Sequence, residues 1–357
     1  MKQRNNTLQN KNTRENFERK LPFLLSRNKI IAGIKEFFAN ENFVEVDTPI
    51  LQYSPGMEVH LFGFETWFND INGVDKQKLY LHTSPEFSMK KLLSFGMKNI
   101  YQFTHTFRNE VVSPTHYPEF TMLEWYRTGV DYTKLMDDCE KILKKSLSII
   151  GAKYFEYNGI KCKVDKGVEK LTIKEAFEKY CHFDVLATID NIKKPTVDAI
   201  KTKAEKLGIH VSPSDSWDDV YEKLMFEFIE PNLGNEKPTI LYEYPIHQAA
   251  LSKANDANPY VAERFEIYVC GVELGNAFTE LTDRKVQEAR FESDQKEKMN
   301  LYGETFPIDY EFLDAVENMQ PCTGIAVGVD RLIMLATHAK DVRDVLWIEI
   351  PTLSELV

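Results

Sequence analysis

Two short stretches carry groups suited to one piece of chemistry. The first is Phe107-Arg108-Asn109-Glu110, followed closely by His116-Tyr117-Pro118-Glu119-Phe120. The second, far downstream, is Gly324-Ile325-Ala326-Val327-Gly328-Val329-Asp330-Arg331. The first offers a cation, a carboxylate and an aromatic ring on what reads as strand, loop, strand. The second offers backbone room and another cation at the entry to a helix. A triphosphate needs cations and close backbone approach, and an adenine needs a flat apolar face and an acceptor for its amino group. Either stretch alone is a weak signal. Together, in this order, they point to a nucleotide site.

Positioning them requires a sheet. Ile100 to Phe107 and Phe120 to Tyr126 alternate as an antiparallel pair with polar groups on one face. Phe43 to Val46 reads as a strand halted by Pro49, and Leu79 to His82 as another. Ser84-Pro85-Glu86 reads as a helix start, since Ser caps, Pro fits the first turn and Glu favours the positive end. Ile30, Ile31, Ile34, Phe37 and Phe38 recur at helical spacing. A long helix is expected from about Tyr132 to Ile150. Further strands are expected at Thr239–Tyr242, Arg264–Val269, Val272–Phe278 and Gly324–Val327, with helices over 283–299 and 330–338. Strands that pair as neighbours, with helices gathered elsewhere, indicate an α+β fold built on an antiparallel sheet. Residues 151–235 read as a mostly helical, Lys/Glu-rich insertion. Residues 1–23 read as a disordered polar tail, and 24–357 as one domain.

The 357 residues are 43% hydrophobic and 28% charged, ordinary for a globular protein, with no apolar run of membrane-spanning length. The five cysteines show no CxxC pair and no zinc spacing; their odd number suggests free thiols in a reducing, cytoplasmic setting. Net charge is −11, which argues against broad electrostatic engagement of nucleic acid. Residues 1–20 go the other way, with six Lys/Arg against two Glu, and read as a solvated tail or a basic partner-binding arm.

Several segments carry a family likeness: Thr83-Ser84-Pro85-Glu86, Phe107 to Glu110, Pro118 to Tyr126, Glu273 to Leu281 and Gly328-Val329-Asp330-Arg331. With Pro49 in the first motif, they resemble all three motifs of the class II aminoacyl-tRNA synthetase catalytic domain, and within it the lysine branch. The resemblance runs from about residue 24 to 350. Lysyl-tRNA synthetases carry an anticodon-binding barrel ahead of this domain, and residues 1–23 are too few to build one. The chain therefore looks like the truncated lysyl-tRNA-synthetase-like ligases that attach (R)-β-lysine to a lysine of translation elongation factor P. Ala326 and Glu236-Lys237-Pro238-Thr239 fit that branch.

The resemblance implies ATP and Mg2+ as cofactors, an aminoacyl-adenylate intermediate, and a two-fold homodimer. It implies that Arg108 clamps the substrate carboxylate and α-phosphate, and that Arg331 holds the γ-phosphate end near the adenine. Glu110 would accept from the adenine amino group and Phe120 would stack on it. Asn109, His116, Tyr117, Leu274 and Gly328 complete the ATP set, and Glu266 and Glu273 would bind magnesium. Glu280 and Tyr126 would receive the terminal ammonium, and Glu86 with Ser84 and Pro85 the amine nearer the carboxylate. Glu124, Asn276, Phe278 and Ala326 would line the pocket. Singly, Glu124 or Tyr126 reads as a surface or core residue, and His116 as a loop histidine or a phosphate neighbour. Tyr117 departs from the family, which commonly has a small polar group there. Two other readings stay open: a minimal synthetase charging tRNA-Lys, and a silent regulatory paralogue.

Overall fold

Leu123 and Trp125 face one side of their strand and join a core, while Glu124 and Tyr126 face the other. This period of two, repeated across neighbouring strands, makes one side of a sheet a hydrophobic floor and the other a polar ceiling. In the computed structural model, which describes residues 13–73, 76–249 and 251–350, that sheet has eight strands. In spatial order they are β1 (Val44–Glu45), β5 (Ile100–Phe107), β6 (Glu119–Thr128), β13 (Cys322–Gly328), β12 (Val272–Thr279), β11 (Arg264–Val269), β10 (Thr239–Tyr242) and β9 (Glu169–Thr172). The strands from β5 to β10 pair antiparallel, and only the two edges, β1 on β5 and β9 on β10, are parallel. A smaller sheet holds β2 (Leu51–Gln52), β4 (Lys76–Leu81) and β3 (Phe64–Asn69), and β7 (Phe155–Tyr157) pairs with β8 (Ile160–Cys162).

Three helices pack under the floor: α1 (Arg14–Asn40), α3 (Thr133–Ile150) and α9 (Val329–Thr337). Ile30, Ile34 and Phe38 of α1, Ile142 and Leu143 of α3, and Leu332 and Ile333 of α9 meet Trp125, Ile325 and Ala277 there. Beside the ceiling lie α2 (Glu86–Ser94), α7 (Arg284–Tyr302) and α8 (Tyr310–Asn318), around Phe87, Phe291 and Phe312.

The helix α1 corrects the expected tail. Residues 14–23 are helical, with Thr13 capping through a hydrogen bond from Asn16 N–H, and Leu24 fully buried. Its polar composition hid it, because this turn is held by tertiary contacts. Lys20 is buried against Glu349 at 3.2 Å, and Arg19 reaches Asp344 at 2.6 Å. Residues 1–12 lie outside the described residues. The insertion is also less helical than expected. It contains the β7–β8 hairpin, and β9 joins the main sheet before α4 (Ile173–Cys181), α5 (Asp198–Lys206) and α6 (Trp217–Leu224) close a separate core around Phe177, Trp217 and Tyr221.

One irregularity re-aims a side chain. Pairing between β11 and β12 slips between Ile267 and Tyr268, so that Gly275 faces Ile267 while Glu273 faces Tyr268. A bulge of this kind shifts the alternation by one residue. Leu274 therefore joins the floor, yet both Glu273 and Asn276 line the ceiling. Gly275 is required there, because a Cβ would lie 2.6 Å from the Ala326 carbonyl oxygen.

Candidate active site

The ceiling carries two adjoining compartments. The first is a cavity of about 380 Å3 whose wall includes both Arg108 and Arg331. Arg108 leaves the end of β5, its backbone N–H bonded to Pro118 O at 2.9 Å. Its guanidinium lies over the Phe120 ring at 5.5 Å, and Nε reaches Thr83 O at 3.5 Å. Both Nη groups remain without an acceptor among the described residues, which suits a bidentate grip on an anion.

Arg331 arrives from the first turn of α9. Nε donates to Thr115 O at 3.0 Å and Nη1 to Glu273 O at 2.9 Å, while Nη2 lies 2.7 Å from His116 Nε2. A guanidinium can only donate, so Nε2 of His116 accepts and its proton sits on Nδ1, facing Ser113 Oγ at 2.8 Å. Burial and the charges of Arg331 and Arg108 lower the His116 pKa, consistent with that neutral ring. Beneath them Asp330 accepts from Thr121 N–H at 2.7 Å and pairs with buried Arg27, which also donates to Thr121 Oγ1 at 2.7 Å. That lock fixes α9 to β6 and so fixes Arg331 relative to Phe120.

Glu110, His116, Tyr117, Phe120, Leu274 and Gly328 also line this cavity; Asn109 does not, being exposed with its N–H bonded to Phe62 O. Leu274 is mainly a floor residue. The Tyr117 hydroxyl is committed elsewhere, donating to Ile350 O at 2.8 Å and accepting from Ile350 N–H at 2.7 Å.

Glu266 and Glu273 face the same cavity with unequal freedom. Glu266 Oε2 accepts from Tyr244 and Tyr268 hydroxyls at 2.6 and 2.7 Å, and Oε1 from Arg264 Nη2 at 2.7 Å. Glu273 takes no side-chain hydrogen bond among the described residues, and burial plus repulsion from Glu266 push its pKa up to about 7. No group of three His, Cys, Asp or Glu among the described residues could hold a metal alone. The donor set fits a hard cation only if phosphate oxygens complete its shell.

The second compartment is a buried acidic cup. Cross-strand register sets Glu124 beside Ala326 and Ala326 beside Asn276, so one rung of the sheet joins the cup to the nucleotide cavity. Ser84 Oγ donates to Glu124 Oε2 at 2.6 Å and the Tyr126 hydroxyl to Oε1 at 2.5 Å. Ser84 Oγ also accepts from Glu86 N–H at 3.1 Å, and Pro85 is the residue before the first turn of α2. The next rung sets Tyr126, Gly324 and Phe278 side by side, and a Cβ on Gly324 would collide with both the Tyr126 ring and Glu280 Oε1.

Lys90 was not foreseen from sequence. Its ammonium, 1% exposed, lies 2.5 Å from both Glu86 Oε1 and Glu280 Oε2 and over the Phe278 ring at 5.3 Å. The only local signal was its spacing of four from Glu86 on one helix. Glu280, despite that ion pair, accepts no well-aligned hydrogen bond among the described residues. Fully ionised, Glu86, Glu124 and Glu280 against Lys90 leave two negative charges uncompensated. Burial and mutual repulsion accordingly raise Glu124 to about 7, while burial, opposed by Lys90, raises Glu280 to about 8. A cup that retains protons for want of cations suits a doubly positive guest.

Residues 2–348 match the family described as tRNA synthetases class II (D, K and N). Among curated relatives, the elongation factor P–(R)-beta-lysine ligase of Proteus mirabilis (strain HI4320) is 38% identical over 324 residues, covering 90% of this chain and 93% of the relative. The ligases of the same name from Salmonella paratyphi B (strain ATCC BAA-1250 / SPB7) and Salmonella schwarzengrund (strain CVM19633) are each 37% identical over 329 residues, covering 91% of this chain and 94% of the relative.

Proposed function

The chain belongs to the class II tRNA synthetase family of the D, K and N type, and from that premise we propose that it is an ATP-dependent ligase that loads (R)-β-lysine onto a lysine of elongation factor P. The observation that carries this reading is the pairing of compartments: two guanidinium groups on one cavity, next to a buried cup short of two positive charges. In the first step a substrate carboxylate oxygen bonds to the α-phosphorus of ATP, and the bond to pyrophosphate breaks. Two anions must approach, so Arg108 offers its free Nη pair to both, and Arg331 takes the outer phosphates. Phe120 offers a face to the adenine and Glu110 an acceptor to its amino group. The cup binds the two ammonium groups, and the Glu124–Ala326–Asn276 rung aims the carboxylate at the phosphorus. In the second step the acceptor amine bonds to the acyl carbon, AMP leaves with the electron pair of the broken C–O bond, and the amine loses a proton. Mg2+ held by Glu273, with Glu266 beside it, would neutralise phosphate charge.

All five cysteines are free and buried, which suits a reducing cytoplasmic compartment; among the described residues no helix is long and apolar enough to cross a membrane. Val44, Leu51 and Tyr53, around the first motif, expose apolar surface, and a two-fold homodimer would cover it. Sedimentation at micromolar concentration should give twice the chain mass; a monomer would remove that part of the reading. The net charge of −11 favours a protein acceptor over tRNA. Incubating the chain with elongation factor P, ATP and (R)-β-lysine should add one β-lysyl mass to the factor. An unmodified factor, with tRNA-Lys charged instead, would transfer the reading to a minimal synthetase.

A further inference from the structure

Beyond Glu266 and Glu273 lies a second, larger hollow of about 710 Å3. It shares Glu58, Arg264, Glu266 and Glu273 with the nucleotide cavity, so the two meet at a common wall. Its other sides come from α6, the loop at His247 and α7. Among the described residues that line it, nine are carboxylates and Arg264 is the one permanent cation. Arg264 is already spent on Glu266, Gln248 O and Asn276. Asp218 lies 3.3 Å from His247 Nε2 and accepts from Gln248 Nε2 at 2.8 Å. Glu222, Glu230, Asp294 and Glu297 form no salt bridge among the described residues.

A hydroxyl in the wall gives an independent sign of a missing guest. Tyr221 is 1% exposed, its ring stacked on Trp217 at 5.2 Å and on Phe177 at 5.3 Å. It lines the hollow, and its OH has no hydrogen-bond partner among the described residues. Burying such a group unpaired is costly, so a stack that fixes it there implies something for it to bond. The carboxylates agree. Glu222 is open to water at the mouth yet enclosed on most sides, and that enclosure, with repulsion from Glu266 and Glu230, holds it up to about 7. Burial and repulsion from Glu58 hold Asp294 up to about 7 as well.

The charge excludes phosphates and nucleotides from this hollow. A further metal ion is disfavoured, because among the described residues no three of these groups converge tightly enough to hold one. A free diamine already has the cup beside Lys90. What remains is a cationic side chain arriving from outside, next to the place where an acyl group is handed over. We propose that this hollow seats a lysine or arginine side chain of the acceptor protein, adjacent to the amine being acylated, with the Tyr221 hydroxyl and the Glu222 and Glu230 carboxylates as its partners. The inference rests on the ligase reading and adds a second, charge-based point of attachment to it.

Two rates separate this inference from the reading beneath it. Substrate-dependent pyrophosphate exchange reports activation alone, and β-lysyl transfer at varied elongation factor P reports docking. Glu222→Gln, Glu230→Gln and Tyr221→Phe should leave exchange unchanged. The two carboxylate variants should each raise KM for the acceptor about tenfold, the scale of one charge-assisted contact, and Tyr221→Phe by less. Added salt should weaken acceptor binding by the unaltered chain more than by the Glu222→Gln, Glu230→Gln double variant. An unchanged acceptor KM in that double variant, with exchange intact, overturns the proposal. So does a loss of exchange in step with transfer, or a defect cured by extra Mg2+ and not by extra acceptor. Absence of exchange in the unaltered chain would instead remove the ligase reading itself, and the docking role with it.

Discussion

Arg108 and Arg331 were legible as a pair because their neighbours in sequence are also their neighbours in space: Phe120, His116 and Gly328 come with them. Lys90 was not, because its decisive partner, Glu280, lies far along the chain, and nothing in Met89-Lys90-Lys91 marks the middle residue as buried. Tyr117 looked like a nucleotide contact, yet its hydroxyl ties down the backbone at Ile350. Ala326 lies between Glu124 and Asn276 on one rung and lines the nucleotide cavity. Its methyl belongs to the wall of that cavity. A single methyl on a pocket wall shifts preference by about 1–3 kcal/mol. Ala326→Gly should therefore raise activation of α-lysine relative to (R)-β-lysine by about tenfold in pyrophosphate exchange, a factor equal to about 1.4 kcal/mol. An unchanged ratio would show that the methyl does not discriminate.

Short runs rich in β-branched and aromatic residues were readable almost to the residue, Thr239–Tyr242 and Arg264–Val269 among them. Elements whose order comes from long-range contact were not. The start of α1 has a polar sequence and owes its place to Glu349 and Asp344. The strand β3, Phe64–Asn69, escaped notice because its large apolar side chains Trp67 and Phe68 are exposed, which blurs the expected pattern. The bulge at Leu274 was equally silent, since it shows only when two strands are laid together. It makes a sharp prediction. Gly275→Ala puts a Cβ 2.6 Å from Ala326 O and 2.8 Å from Val327 Cγ2. Straightening β12 to relieve that clash would turn Glu273 toward the floor. The variant should lose about 2–3 kcal/mol of stability in denaturant unfolding, as overpacked sites do. It should also lose nucleotide affinity. Full stability with normal ATP binding would mean that the bulge is incidental.

At the scale of the whole molecule, the ceiling is overdrawn in negative charge, and this couples stability to pH. Glu124, Glu273 and Glu280 have pKa values near 7, 7 and 8 in the folded chain, against 4.5 as the ordinary value. A group whose pKa rises on folding contributes stability below its unfolded value and loses that contribution as pH climbs through the folded one. The ligand-free protein should thus melt several degrees lower at pH 8 than at pH 5.5. At pH 8, (R)-β-lysine should restore much of the loss, and its binding should release protons, visible in calorimetry as a dependence on buffer ionisation heat. A melting temperature that is flat or rising over this range would contradict the charge accounting of the cup. The order of the sheet has a further consequence. β13 lies between β6 and β12 and carries Gly324 and Ala326, yet it is the last of the described strands to be made. A nascent chain halted ahead of residue 322 would leave the facing edges of β6 and β12 unpaired and lack both Ala326 and Arg331, and is expected to bind neither substrate. The final strand acts as a keystone, so partial translation products would be both inert and prone to pairing with one another.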